Sequence, residues 1–78
     1  MGIHVKISSS LRKYMPDYAP EAGMYADGAG LTAASLALSL GIPLREVKFI
    51  MLNGRLRPLQ TVLETGDRIA YFPAIGGG

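Results

Sequence analysis

Few side chains in this sequence could do chemistry, and their spacing brings none of them together. The chain has one histidine, His4, six scattered carboxylates and no cysteine. Catalysis by side chains requires an acid, a base or a nucleophile that converge on one point. A metal site would require a second histidine or a cysteine to complete the ligand shell of His4. We therefore expect no catalytic residue, no metal site and no enzyme activity of this chain alone.

The glycine run at the end of the sequence is the exception, because its chemistry would use the main chain. The run consists of Gly76, Gly77 and Gly78. Glycine has no Cβ, so such a run can pass through a channel that is too narrow for side chains. Gly78 would present its carboxylate as the reacting group, while Gly76 and Gly77 thread into a partner's active site. A carboxylate needs activation by ATP to an acyl adenylate, with the partner supplying the catalytic groups. A frayed end or an expression scar explains the run about as well.

Composition limits the expected partners and location. The formal net charge is +2, and the eight Lys and Arg residues are spread between Lys6 and Arg68 without a basic run. We therefore expect no nucleic-acid partner. No apolar stretch reaches the roughly 18 residues that a membrane span needs, and the N-terminus lacks the regions of a signal peptide. We expect no membrane association and a cytoplasmic location.

Periodicity and turn signals predict the elements that must hold this tail. Ile3, Val5 and Ile7 alternate with polar residues, which is typical of a half-buried strand. Asn53 followed by Gly54 is a strong hairpin signal, because a type I′ turn needs a positive φ at both positions. In chain order the predicted elements are strand 3–7, a helical turn at 11–14, strand 23–26, a helix over 32–40, and strands 47–52, 55–57 and 68–72.

The helix has signals at both ends and a clear apolar face. Thr32 is suited to be its N-cap, and Gly41 ends it. Leu36 shares one face with three other apolar residues, which would pack on a sheet. This order predicts an α+β fold of the ubiquitin-like β-grasp class, with a mixed four- to five-stranded sheet packed on one main helix. The β-grasp domain would span residues 1–75, and a flexible glycine tail would span residues 76–78.

Three short motifs follow one another in the second half of the sequence. They are Asn53-Gly54-Arg55 after an apolar strand, Gly66-Asp67-Arg68-Ile69 at the opening of the last strand, and Phe72-Pro73-Ala74-Ile75-Gly76-Gly77-Gly78. With the order of elements, they resemble the MoaD/ThiS family of β-grasp sulfur carriers over most of Thr32 to Gly78. Two features depart from the molybdopterin-type members, because Ala74 replaces a second proline and a third glycine is present.

The resemblance implies a carrier whose terminal carboxylate is a substrate of partner enzymes. Gly78 would be adenylated by a ubiquitin-activating-type adenylyltransferase, similar to MoeB or ThiF, and converted to a thiocarboxylate. The sulfur would pass to an acceptor such as the large subunit of molybdopterin synthase or thiazole synthase. No cofactor would be bound permanently, and ATP would be used by the activating partner. The Phe-Pro pair and the chain length favour molybdopterin or tungstopterin biosynthesis, with this chain as a synthase small subunit. The triple glycine is also seen in thiamine-type carriers.

The sequence also suggests residues that could contact a partner, and it leaves two other functions open. Phe72 and Ile75 adjoin the tail and are candidates for partner contact. Leu56 and Leu59 are further apolar candidates, although any of these residues could instead belong to the core. The same tail could form an isopeptide bond with a lysine, which would make the chain a ubiquitin-like protein modifier. A third alternative is a plain β-grasp interaction module whose tail is incidental.

Overall fold

Secondary structure follows the predicted order in the computed structural model, which describes residues 2–19 and 21–73. Within these ranges the elements are β1 (Ile3–Ile7), β2 (Met24–Ala26), α1 (Ala33–Ser39), β3 (Val47–Leu52), β4 (Arg55–Arg57), β5 (Arg68–Pro73) and two 3-10 helices (Ser9–Tyr14 and Leu44–Glu46). The first 3-10 helix covers the predicted helical turn. The second was not predicted. The α+β class is therefore confirmed.

The five strands form a mixed sheet in the order β2-β1-β5-β3-β4. Strand β5 lies at its centre, parallel to β1 and antiparallel to β3. The edge strands β2 and β4 pair antiparallel with β1 and β3. This is the predicted β-grasp arrangement. The last strand includes Pro73, one residue beyond the predicted end, and Pro73 lies opposite Val47.

The core lies between the sheet and α1. Alternate residues of β1 and β5 face it, which is the period expected for strands. Its buried members are Ile3, Val5, Ile7, Leu11, Ala33, Leu36, Ala37, Ile42, Val47, Ile50, Leu52, Leu63, Ile69 and Tyr71. Tyr71 is the largest fully buried side chain, and its hydroxyl donates a hydrogen bond of 2.7 Å to the carbonyl of Ala33. Central strand and helix are thus joined by packing and by a buried hydrogen bond.

The turn between β3 and β4 is tied to the start of β5. Asn53 has φ 53° and Gly54 has φ 82°, which confirms the predicted pair of positive φ angles. The Asn53 side chain accepts a hydrogen bond from the Arg68 N–H at 2.9 Å and donates one to the Asp67 carboxylate at 2.9 Å. The second carboxylate oxygen of Asp67 accepts from the Glu64 N–H at 2.8 Å. These bonds fix the point at which β5 enters the sheet.

The start of α1 is capped by a side chain and by the segment before β5. The Thr32 hydroxyl accepts a hydrogen bond of 3.1 Å from the Ser35 N–H. The N–H groups of Ala33 and Ala34 donate to main-chain carbonyls of Thr61 and Leu59. The first N–H groups of a helix have no partner inside the helix, so these bonds satisfy them. Because α1 is too short to be stable by itself, its caps and its packing must hold it.

Thr32→Ala is expected to lower the free energy of unfolding by about 1 kcal/mol, because the N-cap acceptor for the Ser35 N–H is lost. Urea titration followed by circular dichroism measures this change. Thr65→Ala serves as the control, since Thr65 is exposed in a turn and its truncation is expected to change stability by less than about 0.5 kcal/mol. Equal stability of the two variants would contradict a capping role for Thr32.

Candidate functional site

The predicted reactive tail follows β5, the central strand of the sheet. The candidates Ile75, Gly76, Gly77 and Gly78 lie outside the residues that the structure describes, so their roles stay predictions, as does the division between residues 1–75 and 76–78. Phe72 is the candidate that the structure describes. It lies on β5, directly before Pro73.

The alternation of β5 places Phe72 on the side of the sheet away from α1. Ile69 and Tyr71 are buried in the core, whereas Ala70 and Phe72 are only half-buried. Phe72 is therefore not a core residue, and its side chain is partly accessible near the end of β5.

Phe72 forms a stacked pair with Phe49 of β3. The two residues lie opposite each other in the register of β3 and β5, with ring centroids 4.7 Å apart and an interplanar angle of 10°. Phe49 is 37% exposed. The sequence does not reveal Phe49 as an outward-facing residue, because strict alternation from Val47 would turn it towards the core. A register shift between Val47 and Phe49 reverses the phase of the strand, as a β-bulge does, and turns Phe49 outward.

We call the side of the sheet away from α1 the open face. Residues that lie opposite one another on neighbouring strands share a face. By register and exposure, the open face includes His4, Lys6, Tyr25, Phe49, Met51, Leu56, Arg68, Ala70 and Phe72. One row of this face crosses four strands. Met51 of β3 lies opposite Leu56 of β4 and Ala70 of β5, and Ala70 in turn lies opposite Lys6 of β1. The row places apolar side chains at the centre of the open face.

The two further apolar candidates, Leu56 and Leu59, have different environments in the structure. Leu56 is 67% exposed on the edge strand β4, so its side chain is available for contact. Leu59 is partly buried and packs against the core. For Leu56 the hypothesis of partner contact remains open, whereas Leu59 has a structural role in the core.

Charges in the sheet have one sign. The described strands contain five Lys or Arg residues and no Asp or Glu, and these cations are Lys6, Lys48, Arg55, Arg57 and Arg68. The sequence alone does not show the full cluster, because Lys6 of β1 lies far along the chain from the other four cations. Pairing of the strands brings them to one sheet. The sheet therefore presents a positive surface although the whole chain carries a formal net charge of only +2.

His4 lies on the open face and contacts β2 and the loop before it. Its Nε2 lies 3.1 Å from the carbonyl oxygen of Ala22, and its ring centroid lies 4.9 Å from that of Tyr25. Gly23 has φ 73°, and a Cβ there would lie 2.7 Å from the imidazole, so the loop beside His4 requires glycine. Among residues 2–19 and 21–73, no three His, Cys, Asp or Glu side chains lie close enough together to hold a metal ion.

Two other properties bear on the class of protein. No helix within the described part of the chain is long and apolar enough to cross a membrane. No described buried side-chain polar atom lacks a hydrogen-bond partner. Buried polar side chains of the described structure are thus satisfied internally, and its unusual feature is the open face.

Comparisons with known proteins agree on the fold. The family model described as Mut7-C ubiquitin matches residues 1–76. The solution structure of the Haloferax volcanii HVO 2177 protein is similar, with a TM-score of 0.68 and 23% sequence identity, over 100% of this chain and 87% of that one. At this identity the likeness concerns the fold alone. Comparison with curated proteins gives no match.

Proposed function

The chain belongs to the Mut7-C ubiquitin family, and from its ubiquitin-like fold we propose that it is a sulfur carrier whose C-terminal Gly78 is activated by a partner enzyme. The product is a Gly78 thiocarboxylate, which donates sulfur to cofactor biosynthesis, with molybdopterin or tungstopterin favoured over thiamine thiazole. The chain itself catalyses nothing. A ubiquitin-activating-type adenylyltransferase supplies the catalytic groups and uses ATP.

The proposed reaction has two steps. First, a carboxylate oxygen of Gly78 attacks the α-phosphorus of ATP, and pyrophosphate leaves. The resulting acyl adenylate is an activated carbonyl, so a sulfide equivalent from a sulfur donor can attack it and displace AMP. The carbon–sulfur bond of the thiocarboxylate replaces the carbon–oxygen bond to AMP, and no change in oxidation state of the carbon is needed.

The observation that supports this proposal most directly is that β5, the central strand of the sheet, ends five residues before Gly78 in the sequence. Pro73, the last residue of β5, is buried and lies opposite Val47. Gly78 is five residues further along the sequence, and five extended residues can span up to about 17 Å. A reacting group on such a tether can enter a partner's active site while the folded domain stays outside it. The run of glycines fits a narrow entrance.

The ubiquitin-like fold favours a second candidate function as well. The same acyl adenylate of Gly78 can be attacked by a lysine amine, which forms an isopeptide bond and makes the chain a protein modifier. Both functions share activation of Gly78, and they differ only in the nucleophile that displaces AMP. The products have different masses, so one measurement separates them.

Intact-mass analysis of the protein isolated from its own cells tests both functions. The carrier proposal predicts exchange of one oxygen for one sulfur at Gly78, and incubation with the adenylyltransferase, ATP and a sulfur donor is expected to raise that fraction. The measurement also tests the requirement that Gly78 is the last residue of the chain. Conjugates to other proteins would favour the modifier. A carboxylate that stays unmodified under all conditions would contradict both functions.

A further inference from the structure

The open face has an apolar centre that nothing in the described structure covers. Leu56 is 67% exposed and lies opposite Met51, and the stacked pair of Phe49 and Phe72 lies beside them. Side chains of this size in one exposed group are typical of contact sites rather than of a solvated surface. The centre adjoins Phe72 and Pro73, the last residues of β5.

A groove of about 460 Å³ opens beside this centre. Its walls include the apolar side chains of Phe49, Leu56 and Leu59, and the cations Lys48 and Arg57 also line it. This volume falls within the range of about 300–1,000 Å³ that is usual for binding clefts. The groove therefore suits an apolar side chain of a partner whose neighbours carry negative charge.

A second hollow of about 420 Å³ lies across Met51 from the groove. The small side chain of Ala70 leaves space there, and Lys6, Arg68 and His4 line the hollow. Within the described residues, neither the groove nor this hollow is lined by a carboxylate. Both depressions thus combine an apolar part with cations. The second hollow lies on the open face, whereas the groove runs along the edge strand β4, where Arg57 is opposite the buried Ile50.

We propose that the open face is a docking surface for a protein partner that presents an apolar side chain flanked by carboxylates. The inference rests on the proposed function only in that the partner would be the enzyme that activates Gly78 or accepts its sulfur. Carboxylates of the partner would meet Lys6 and Arg68 at the second hollow, on the open face, and Lys48 and Arg57 at the groove along the edge strand β4. Such complementarity raises the association rate and excludes partners of the wrong charge.

Charge and ring geometry argue against two other occupants. A second copy of the chain packed face to face would bring the same cations together, which is unfavourable. Single-stranded nucleic acid would require aromatic faces that are free to stack on bases. Phe49 and Phe72 instead stack on each other, and the aliphatic side chains of Leu56 and Met51 occupy the centre. A protein surface is the better fit.

Nuclear magnetic resonance titration of the ¹⁵N-labelled chain tests the proposal. The probe is a short peptide with Leu-Phe flanked on both sides by Glu, and the control peptide has Lys in place of Glu. We expect the Glu peptide to shift the amide resonances of Phe49, Met51, Leu56 and Ala70, with binding that weakens as salt is added. The Lys peptide is expected to shift none of them.

A matched pair of variants locates the site. Leu56→Glu is expected to weaken binding of the Glu peptide about tenfold or more, because it places a like charge in the apolar centre. Leu38→Glu is the control, since Leu38 is 58% exposed on α1, away from the open face, and is expected to change affinity by less than about twofold. Equal effects of the two variants would overturn the proposal.

Three further results would also overturn it. The first is that single-stranded polyuridylate shifts amide resonances of the open face while the Glu peptide does not. The second is that dilution shifts these resonances, which would show self-association through this face. The third is that no probe shifts them. Activation of Gly78 is measured separately, so the two hypotheses can fail independently. A failed titration with normal activation removes only the docking surface, whereas a normal titration with no activation of Gly78 removes only the proposed function.

Discussion

Deletion of Gly77 and Gly78 is expected to abolish adenylation of the chain by the activating partner. The shortened chain would end at Gly76, so its carboxylate would fall short of the original position by up to about 7 Å. Reacting atoms must come within about 3–3.5 Å, and a misplacement of about 1 Å can already cost 10²-fold in rate. We therefore expect a loss of more than about 10²-fold, measured as ATP–pyrophosphate exchange with a ubiquitin-activating-type adenylyltransferase of the same cell.

The deletion also separates the two functions that need Gly78, carrier and modifier, from the plain interaction module. Strand β5 and its pairing with β3 extend only to Pro73, so the circular dichroism spectrum and the thermal midpoint should match those of the full chain. Gly78→Ala keeps the length and adds only a Cβ, so it tests whether the entrance tolerates a side chain. If the shortened chain were still adenylated, Gly78 would not be the reacting group. If it kept its biological activity without adenylation, the chain would be an interaction module with an incidental tail.

Much of the fold could be predicted from short sequence signals, because turns and helix ends depend on the backbone conformation of a few neighbouring residues. The turn at Asn53 and Gly54 needs two positive φ angles, which few residue pairs adopt without strain, so the sequence alone located it. The helix was found from its N-cap Thr32 and from Gly41, which has φ 85°. These features depend on neighbours within a few residues, and they placed the elements within one or two residues of the observed bounds.

The open face was harder to predict, because it depends on pairing between distant residues. One extra residue in β3 decides whether Phe49 faces the core or the open face, and an apolar run such as 47–52 contains no signal for that shift. Lys6 and Arg68 are far apart in the sequence, yet both line one hollow, because β1 and β5 pair in parallel. Charge clustering of this kind follows from topology, which local sequence patterns do not specify.

Tyr71→Ala is expected to bring the chain close to complete unfolding. The side chain is fully buried at the centre of the sheet, and its hydroxyl bonds to Ala33 at the start of α1. Removing a buried aromatic ring costs about 3–5 kcal/mol, whereas a chain of 78 residues is expected to have a total stability of about 4–12 kcal/mol. The thermal midpoint should fall by more than about 12 °C. A fall of less than a few degrees would contradict the burial of this ring.

Tyr71→Phe separates the hydroxyl from the ring and predicts a dependence on pH. The variant keeps the packing and loses the hydrogen bond to Ala33, at a cost of about 1 kcal/mol near neutral pH. Burial raises the pKa of Tyr71 well above its ordinary value of 10.0, so only the unfolded chain loses this proton as the pH first rises above that value. Stability from Tyr71 is therefore complete below about pH 10 and is lost as the pH rises further, by about 1.4 kcal/mol per unit. Urea titrations of the natural chain and of Tyr71→Phe at increasing pH should show the stability advantage of Tyr71 shrinking and then reversing. An advantage that does not depend on pH would contradict a buried phenol.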